Sequence, residues 1–305
     1  MTSIAVAIVN YNTRDHLRAC LATVQAEVPS EVVVADNASA DGSIEMVQAG
    51  YPSVLFHANK TNLGYGTAAN QAIARCTAKY VLLLNADTLI QPGALQALSS
   101  YLDLHPRAAI VGPRLVNLDG TLQASCYAFS TPLSTLLEHS TLGRLVRYVP
   151  VLRNKYLGTW PHSHTRVVAW VKGAALAIRR EAFEAVGGFD ESFFMYFEEA
   201  DLCYRLNAAG WQVHFAPVTT VKHVGGASTI EVRAEMAEQL FVSTMQFFQR
   251  HYSGIRLTKL IVTMKSIMLA RLTIDTVRLH ITRDVCKRAK IAADVATWQR
   301  ALFGH

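Results

Sequence analysis

Two carboxyl-bearing segments of this chain have the residue types and spacing that chemistry needs. The first is Asn85-Ala86-Asp87, directly after the apolar run Tyr80–Leu84. In extended backbone, residues two apart point the same way, so Asn85 and Asp87 can face one divalent cation or the sugar it accompanies. A hard cation bridging two phosphates takes carboxylate oxygens and keeps open positions. The alternative is that Asp87 caps a turn or the helix that starts near Pro92. The second segment is Gly187-Gly188-Phe189-Asp190-Glu191 followed by Phe197-Glu198-Glu199-Ala200-Asp201. Glu198 and Glu199 open a helical pattern, where the macrodipole favours anions, so a plain acidic first turn is one reading. The flanking Phe193, Phe194, Tyr196 and Phe197 favour another, an apolar cleft that raises a carboxylate's pKa toward that of a general base.

Two weaker signals accompany these. His223 sits between a strand pattern and Gly225-Gly226, and a lone histidine there reads as a structural residue. Gly64-x-Gly66 invites a dinucleotide-binding reading, but that fingerprint needs a third glycine and a place right after the first strand. A nicotinamide cofactor is therefore not expected.

These residues need a scaffold, and the hydrophobic pattern supplies one. From residue 4 to about 112, β-branched runs alternate with helical patterns at the spacing of βαβ units. Strands are predicted at 4–9, 31–35, 53–57, 80–84 and 109–112, and helices at 13–26, 41–50, 64–77 and 92–104. Thr13 and either Ser39 or Asp41 are candidate helix caps. The alternation predicts an α/β fold whose mostly parallel sheet carries helices on both faces. Residues 113–165 lack clear periodicity and read as an irregular insertion that shapes a site. Further strands are predicted at 167–171, 175–178 and 212–215, with helices at 181–186 and 198–209 and a helical final third over 229–252 and 255–303. Ligands of open parallel sheets bind beyond the carboxyl ends of the strands. The predicted exits are Asn10-Tyr11-Asn12, Asp36-Asn37, Asn59 to Asn62 and Asn85-Ala86-Asp87, all polar.

Composition narrows the function classes. Half of the 305 residues are hydrophobic and 17% are charged, which excludes extended disorder. Cys20, Cys76, Cys126, Cys203 and Cys286 lie far apart with no CxxC pair, so neither a disulfide scaffold nor a cysteine zinc site is expected, and the thiols read as reduced in a cytoplasmic chain. The N-terminus lacks a basic segment ahead of Ile4, and no run of about 18 uncharged apolar residues occurs. The net charge of +6 is uneven: residues 250–305 hold 11 Lys and Arg against 3 Asp and Glu. On a helix, Arg256, Lys259, Arg271 and Arg278 share one broad face with Lys265 opposite. That tail is either a solvated helix pair or a surface for anionic lipid on the inner face of the cell membrane. Nucleic acid is not expected, because Trp298 is the one aromatic among the cations.

In chain order, Val9-Asn10-Tyr11-Asn12, Asp36-Asn37-Ala38-Ser39, Asn62-Leu63-Gly64-Tyr65-Gly66 through Asn70, Leu84-Asn85-Ala86-Asp87, Gly188-Phe189-Asp190-Glu191 and Glu198-Glu199-Ala200-Asp201-Leu202-Cys203 resemble family 2 glycosyltransferases. More narrowly they resemble the rhamnosyltransferase-like branch that builds bacterial cell-surface polysaccharides. The resemblance covers roughly residues 3–230. It implies a glycosyltransferase-A fold and inverting transfer from a nucleotide-diphosphate sugar, a dTDP- or UDP-sugar with rhamnose as the suggested sugar, to a glycan or lipid-linked acceptor. It also implies three regions: a nucleotide-sugar-binding half (1–112), an acceptor-binding and catalytic half (113–230) and a basic helical tail (231–305). Carried over by position, Asn10, Tyr11, Asn12, Asp36, Asn37, Asn62, Gly64, Asn70, Asn85, Ala86 and Asp87 serve the nucleotide sugar, and Asp190 and Glu191 the acceptor. Asn85, Asp87 and His223 take a divalent metal, Mg or Mn, and Glu199 is the base, with Glu198 able to exchange roles with it. Two departures from the family pattern stand out: Asn85 replaces the first Asp of Asp-x-Asp, and Glu199 stands where Asp is frequent. The competing class is a non-catalytic nucleotide-sugar or membrane-surface binding protein of the same fold.

Overall fold

The computed structural model describes residues 4–139, 160–225 and 233–303. The chain divides into two compact units, one of Met1–Phe129, Leu157–Phe194 and Glu198–Ser228, the other of Ser130–Tyr156, Met195–Phe197 and Thr229–His305.

The first unit opens with the predicted alternation. β1 (Ile4–Asn10), α1 (Arg14–Gln25), β2 (Val32–Asp36), α2 (Ser43–Gly50), β3 (Leu55–Ala58), α3 (Tyr65–Ile73), β4 (Tyr80–Asn85), β5 (Thr88–Ile90), α4 (Ala94–Leu104) and β6 (Ala108–Val116) follow in order. After β7 (Cys126–Tyr127) come β8 (Arg166–Val168), β9 (Trp170–Val171) and β10 (Ala175–Arg179). The helices here numbered α6 (Arg180–Ala185) and α7 (Glu198–Ala208) and the strand β11 (Gln212–His223) complete the unit. The large sheet runs β3-β2-β1-β4-β10-β6-β11-β5, with β8 against β11, and β7 pairs β9 separately. Six of its nine strands share one direction, and β10, β5 and β8 run against them.

Both faces of this sheet are buried, as strands of continuous apolar sequence require. Ala5, Ala7 and Val9 of β1 join Val81 and Leu83 of β4 on the face covered by α3 and α7. Ile4, Val6 and Ile8 join Tyr80, Leu82 and Leu84 on the face covered by α1 and α4. The period of two along each strand is thus filled on both sides. Cys20, Cys76, Cys126 and Cys203 are free and buried in these cores, and burial pushes each thiol up to about 12.

Several elements differ from expectation for local reasons. The single strand expected at 167–171 is two, since β8 pairs β11 while β9 pairs β7. β11 continues eight residues past Phe215 because Pro217 falls in an irregularity between Phe215 and Thr220, where no ladder bond is lost. Pro113 lies opposite that break, between the Gly112–Phe215 and Arg114–Thr220 pairs, so β6 runs through it into the stretch read as irregular. Thr13 stands at the start of α1 without a side-chain cap. Its first N–H, that of Arg14, goes instead to Asp41 Oδ2 at 2.7 Å.

The second unit is helical: α5 (Pro132–His139), α8 (Arg233–His251), α9 (Gly254–Ile281) and α10 (Val285–Phe303). The helical pattern expected over 255–303 breaks at Thr282, which is extended at φ −80° and ψ 119°. α10 packs along α9 and α8, joined by Arg300 Nε to Glu238 Oε2 at 2.9 Å and Trp298 Nε1 to Asp275 Oδ2 at 3.2 Å. Among the described residues, no helix is long and apolar enough to cross a membrane.

The turn into α3 needs glycine. Gly64 holds φ +87° and ψ 165°, a region essentially closed to other residues, and a Cβ there would stand 2.4 Å from Phe194 O. Gly64→Ala is therefore expected to lower unfolding stability by roughly 2–4 kcal/mol, read from the urea midpoint. An unchanged midpoint would contradict the close approach of this turn to residue 194.

Candidate active site

The site begins where β2, β1 and β4 end. The parallel register sets Asn10 beside Asp36 and Val9 beside Asn85, so three polar residues leave the sheet along one edge. Asn10 is fully buried, and its Nδ2 donates to Asp36 Oδ2 at 2.7 Å and to Ser39 Oγ at 3.1 Å. Asn10 Oδ1 accepts from Thr13 Oγ1 at 2.7 Å, and Asp36 Oδ1 accepts from Ser39 N at 2.8 Å. Tyr11 is half-buried and Asn12 exposed at the rim; Asn12 Oδ1 accepts from Ala40 N at 2.8 Å. Asn37 is buried with its amide filled: Nδ2 donates to Asn62 Oδ1 at 3.0 Å and Gly64 O at 2.9 Å, while Oδ1 accepts from Asn59 Nδ2 and Leu63 N. Asn37, Asn62 and Gly64 thus form one hydrogen-bonded cluster after the end of β2.

A second group forms where β5, just after β4, pairs the end of β11. His223 pairs in register with Thr88, and its Nε2 stands 3.2 Å from Asp87 Oδ1 and 3.4 Å from Asn85 Nδ2. Asp87 Oδ2 accepts from Gly225 N at 3.0 Å. Burial pushes the Asp87 carboxyl up, but the hydrogen bond and charge of His223 and the Gly225 N–H outweigh it and hold the group below the ordinary carboxylate range. Gln123 orients the imidazole. Its Nε2 donates to Asn117 Oδ1 at 3.0 Å, which turns Oε1 to His223 Nδ1 at 2.6 Å. With Nδ1 on Gln123 Oε1, the ring turns Nε2 toward Asp87 and Asn85, the orientation of a histidine fixed by an outer partner.

That donor set fits a divalent cation. Asp87 Oδ1, His223 Nε2 and the Asn85 side chain converge, and Asn85 Oδ1 is buried without a hydrogen-bond partner. Among the described residues, no three His, Cys, Asp or Glu side chains gather at one point, because the third donor here is an amide.

The third group is the start of α7. Tyr196 and Phe197, both at φ +67°, lead into Glu198, a strained backbone for aromatic residues. Glu199 Oε1 accepts from Gly173 N at 3.3 Å, and Tyr65 Oη donates to Gly173 O at 3.0 Å. Glu198 Oε2 and Glu199 Oε2 are buried without partners. Burial, with the charge of Glu199, pushes the Glu198 carboxyl well above the usual range. Burial raises Glu199 too, against backbone N–H donors and the charge of Lys172. Desolvation and the carboxylates of Glu198, Glu199 and Asp87 likewise push the Tyr65 hydroxyl well up. All three groups lie in the first unit.

The loop before α7 is tied from two sides. Asn70 receives Phe189 N on Oδ1 at 2.9 Å and donates to Phe189 O at 2.9 Å and Glu191 Oε1 at 3.1 Å. Asp190 Oδ1 accepts from Ser192 N and Oγ. Buried Asp201 takes Arg205 Nε at 2.7 Å, and the same guanidinium reaches Val186 O and Gly188 O. Of the carboxylates in this stretch, Asp201 thus closes the Gly187-Gly188 turn, and Glu198 and Glu199 are left for chemistry. Sequence reasoning missed Gln123, Lys172 and Gly173. Gln123 lies in a stretch without periodicity, and nothing in the sequence links it to a histidine one hundred residues away.

Residues 2–241 match the glycosyltransferase like family 2, and the chain belongs to that family. It is accordingly an enzyme, a glycosyltransferase. An N-acetylglucosaminyl-diphospho-decaprenol L-rhamnosyltransferase of Mycobacterium tuberculosis is 33% identical over 266 residues, covering 82% of this chain and 85% of its own. The rhamnosyltransferase WbbL of Escherichia coli is 26% identical, over 72% of this chain and 82% of its own. Two solved structures share the fold. A Pyrobaculum calidifontis mannosyltransferase in complex with GDP-Man and Mn2+ aligns with a TM-score of 0.53 at 17% identity, over 99% of this chain and 87% of that one. GalNAc-T7 with UDP, GalNAc and Mn2+ gives 0.53 at 16% identity, over 72% of this chain and 43% of its own.

The buried Glu198 yields a stability prediction. A carboxyl whose folded pKa lies above its unfolded value supports the fold fully below the unfolded pKa and loses that support as pH rises through the folded one. Glu198→Gln is therefore expected to raise Tm at pH 7.5 and to match the wild type near pH 4, in thermal melts at both values. A Tm lowered equally at both pH values would refute the buried-acid account.

Proposed function

We propose that this chain transfers a sugar, with inversion at the anomeric carbon, from a nucleotide-diphosphate sugar to a lipid-linked or polysaccharide acceptor. The observation that carries this reading is Glu199, a half-buried residue whose carboxylate accepts Gly173 N–H on one oxygen and keeps the other buried without a hydrogen-bond partner, on the unit that holds the Asn10–Asp36 and Asp87–His223 pairs. Asn10, Tyr11, Asn12 and Asp36 hold base and ribose, with Asn37, Asn62, Gly64 and Asn70 shaping the wall. Residues 1–112 serve the donor, 113–230 the acceptor and catalysis. Glu191, exposed beside Asn70, and Asp190 border the acceptor. The two rhamnosyltransferase relatives support rhamnose as the sugar, carried by a dTDP- or UDP-sugar donor in this reading, and the name of the mycobacterial one supports a diphospholipid acceptor.

In the reaction Glu199 Oε2 takes the proton of the acceptor hydroxyl while that oxygen forms its bond to the anomeric carbon. The bond from that carbon to the diphosphate oxygen breaks on the opposite face, and the nucleoside diphosphate leaves as an anion. No covalent sugar–enzyme bond forms. The raised pKa matches Glu199 to this task, since a base near the working pH transfers protons best. Glu198 keeps the neighbourhood dry and, when neutral, adds no second negative charge. Asp87, His223 and Asn85 would hold a divalent metal, Mg or Mn, which when bound neutralises the diphosphate.

The second unit adds a candidate for peripheral attachment on the inner face of the cell membrane. Ile255, Val262 and Leu269 recur every seven residues on the exposed side of α9, among exposed Lys259 and Lys265. Arg278, by contrast, pairs with Asp275 at 3.4 Å, Arg271 lies over Trp298 and Arg256 over Tyr252. The cations read together in the sequence are thus largely occupied, and the apolar stripe with its two lysines faces anionic lipid.

Three outcomes are expected. Glu199→Gln loses turnover by several orders of magnitude while nucleotide affinity, read by calorimetry, is retained; unchanged turnover overturns the base assignment. Titration with UDP, dTDP and GDP, with and without Mn2+, shows one diphosphate bound tightly and metal-enhanced in the wild type but not in Asp87→Ala; no binding by any of them removes the donor site. Phosphatidylglycerol vesicles sediment the wild type and not Val262→Glu/Leu269→Glu, whereas equal sedimentation of both removes the α9 stripe from the account.

A further inference from the structure

One cation at the site edge has no part in the mechanism above. Lys172 follows β9 and stands one residue before Gly173, the residue whose N–H holds Glu199. Its backbone N donates to Ser125 O at 2.8 Å, and two residues on, Ala174 O accepts Asn85 N at 3.0 Å. The chain at Lys172 is thereby fixed against the carboxyl end of β4. The side chain is half-buried. An ammonium has three N–H donors, and among the described residues Lys172 Nζ meets Gln123 Oε1 at 3.4 Å and forms no ion pair.

Burial pulls the ammonium below the usual lysine range, while Glu199 and Asp87 both act to keep it charged. The Lys172 backbone adjoins Gly173, which holds Glu199, and its Nζ meets the same Gln123 oxygen that takes His223 Nδ1. A partly desolvated cation with unfilled donors calls for an anion. Asp87 cannot supply it, being engaged with His223 and Gly225. A phosphate oxygen can, and lysine binds phosphate as a point charge. The strand exit also carries one carboxylate, Asp87, beside the neutral Asn85, which leaves a diphosphate less repelled there.

We propose that Lys172 is an anion-holding residue of the donor site, its ammonium taking an oxygen of the donor's diphosphate and the charge that group gains as it leaves. This rests on the donor-site reading above. The rival account is that Lys172 only steadies Gln123 and, through it, His223.

Calorimetry separates the two. Wild type, Lys172→Met and Lys172→Arg are titrated with whichever of UDP, dTDP and GDP binds best and with the matching nucleoside, in chelator and in Mn2+. In chelator, K172M is expected to lose roughly 10- to 100-fold in diphosphate affinity, K172R to recover most of it, and the nucleoside to bind all three alike. Equal diphosphate affinity for wild type and K172M overturns the proposal. So does an equal loss for nucleoside and diphosphate, which marks a structural role. A wild type that binds neither ligand fails the donor site first, and Lys172 with it. Should K172M not fold, K172Q replaces it in the same comparison.

Discussion

Parallel strands that end in step are the constraint on which this active site depends. β2, β1 and β4 are paired so that Asp36, Asn10 and Asn85 leave the sheet side by side. Each strand is buried on both faces, and a slip of one residue would exchange its two apolar sets between unlike cores. Packing deep in the sheet therefore fixes the positions of polar residues at its rim. The interior hydrogen bond from Asn10 to Asp36 is affordable because the strands deliver both partners to one place.

The electrostatics of the rim divide the labour among like residues. Asp87 is held charged by His223 and a backbone N–H. Glu198 and Glu199, at the start of one helix, are pushed toward neutrality by burial, and Glu198 also by the charge of Glu199. One carboxylate thus suits a cation and another suits a proton, a separation set by surroundings rather than residue type. The positive end of α7 keeps Glu199 able to ionise.

Much of this was legible in the sequence wherever a local pattern carried it. The strands and helices of the first hundred residues follow from hydrophobic period and turn residues, and the polar strand exits follow from them. What escaped was set by distant partners. β5 is three residues long and exists because the end of β11 pairs with it. β11 itself looked finished at Pro217, since nothing local shows that its partner strand skips that position. His223 stands alone in the sequence, and its partners Asp87, 136 residues earlier, and Gln123, which no periodicity singles out, reach it only in the fold. Asn70 and Asp201 carry polar side chains that the fold itself engages, Asn70 with the Phe189 backbone and Glu191, Asp201 with the Arg205 guanidinium. Polar type marks a residue as needing partners without saying whether those are protein or substrate.

Asp41 shows how one side chain can bind separate pieces of chain into a single event. Its Oδ2 accepts the first N–H of α1 from Arg14, and its Oδ1 accepts the N–H and hydroxyl of Ser43 at the start of α2. The start of α1 is not completed until residues 27 apart in sequence have met, whereas that of α2 is closed locally. One carboxylate thus ties the first turn of α1 to the first turn of α2. The loops that carry Asn12 and Ser39 bond to each other beside this anchor, so the rim of the sheet and two helix starts share one carboxylate as their common fastening.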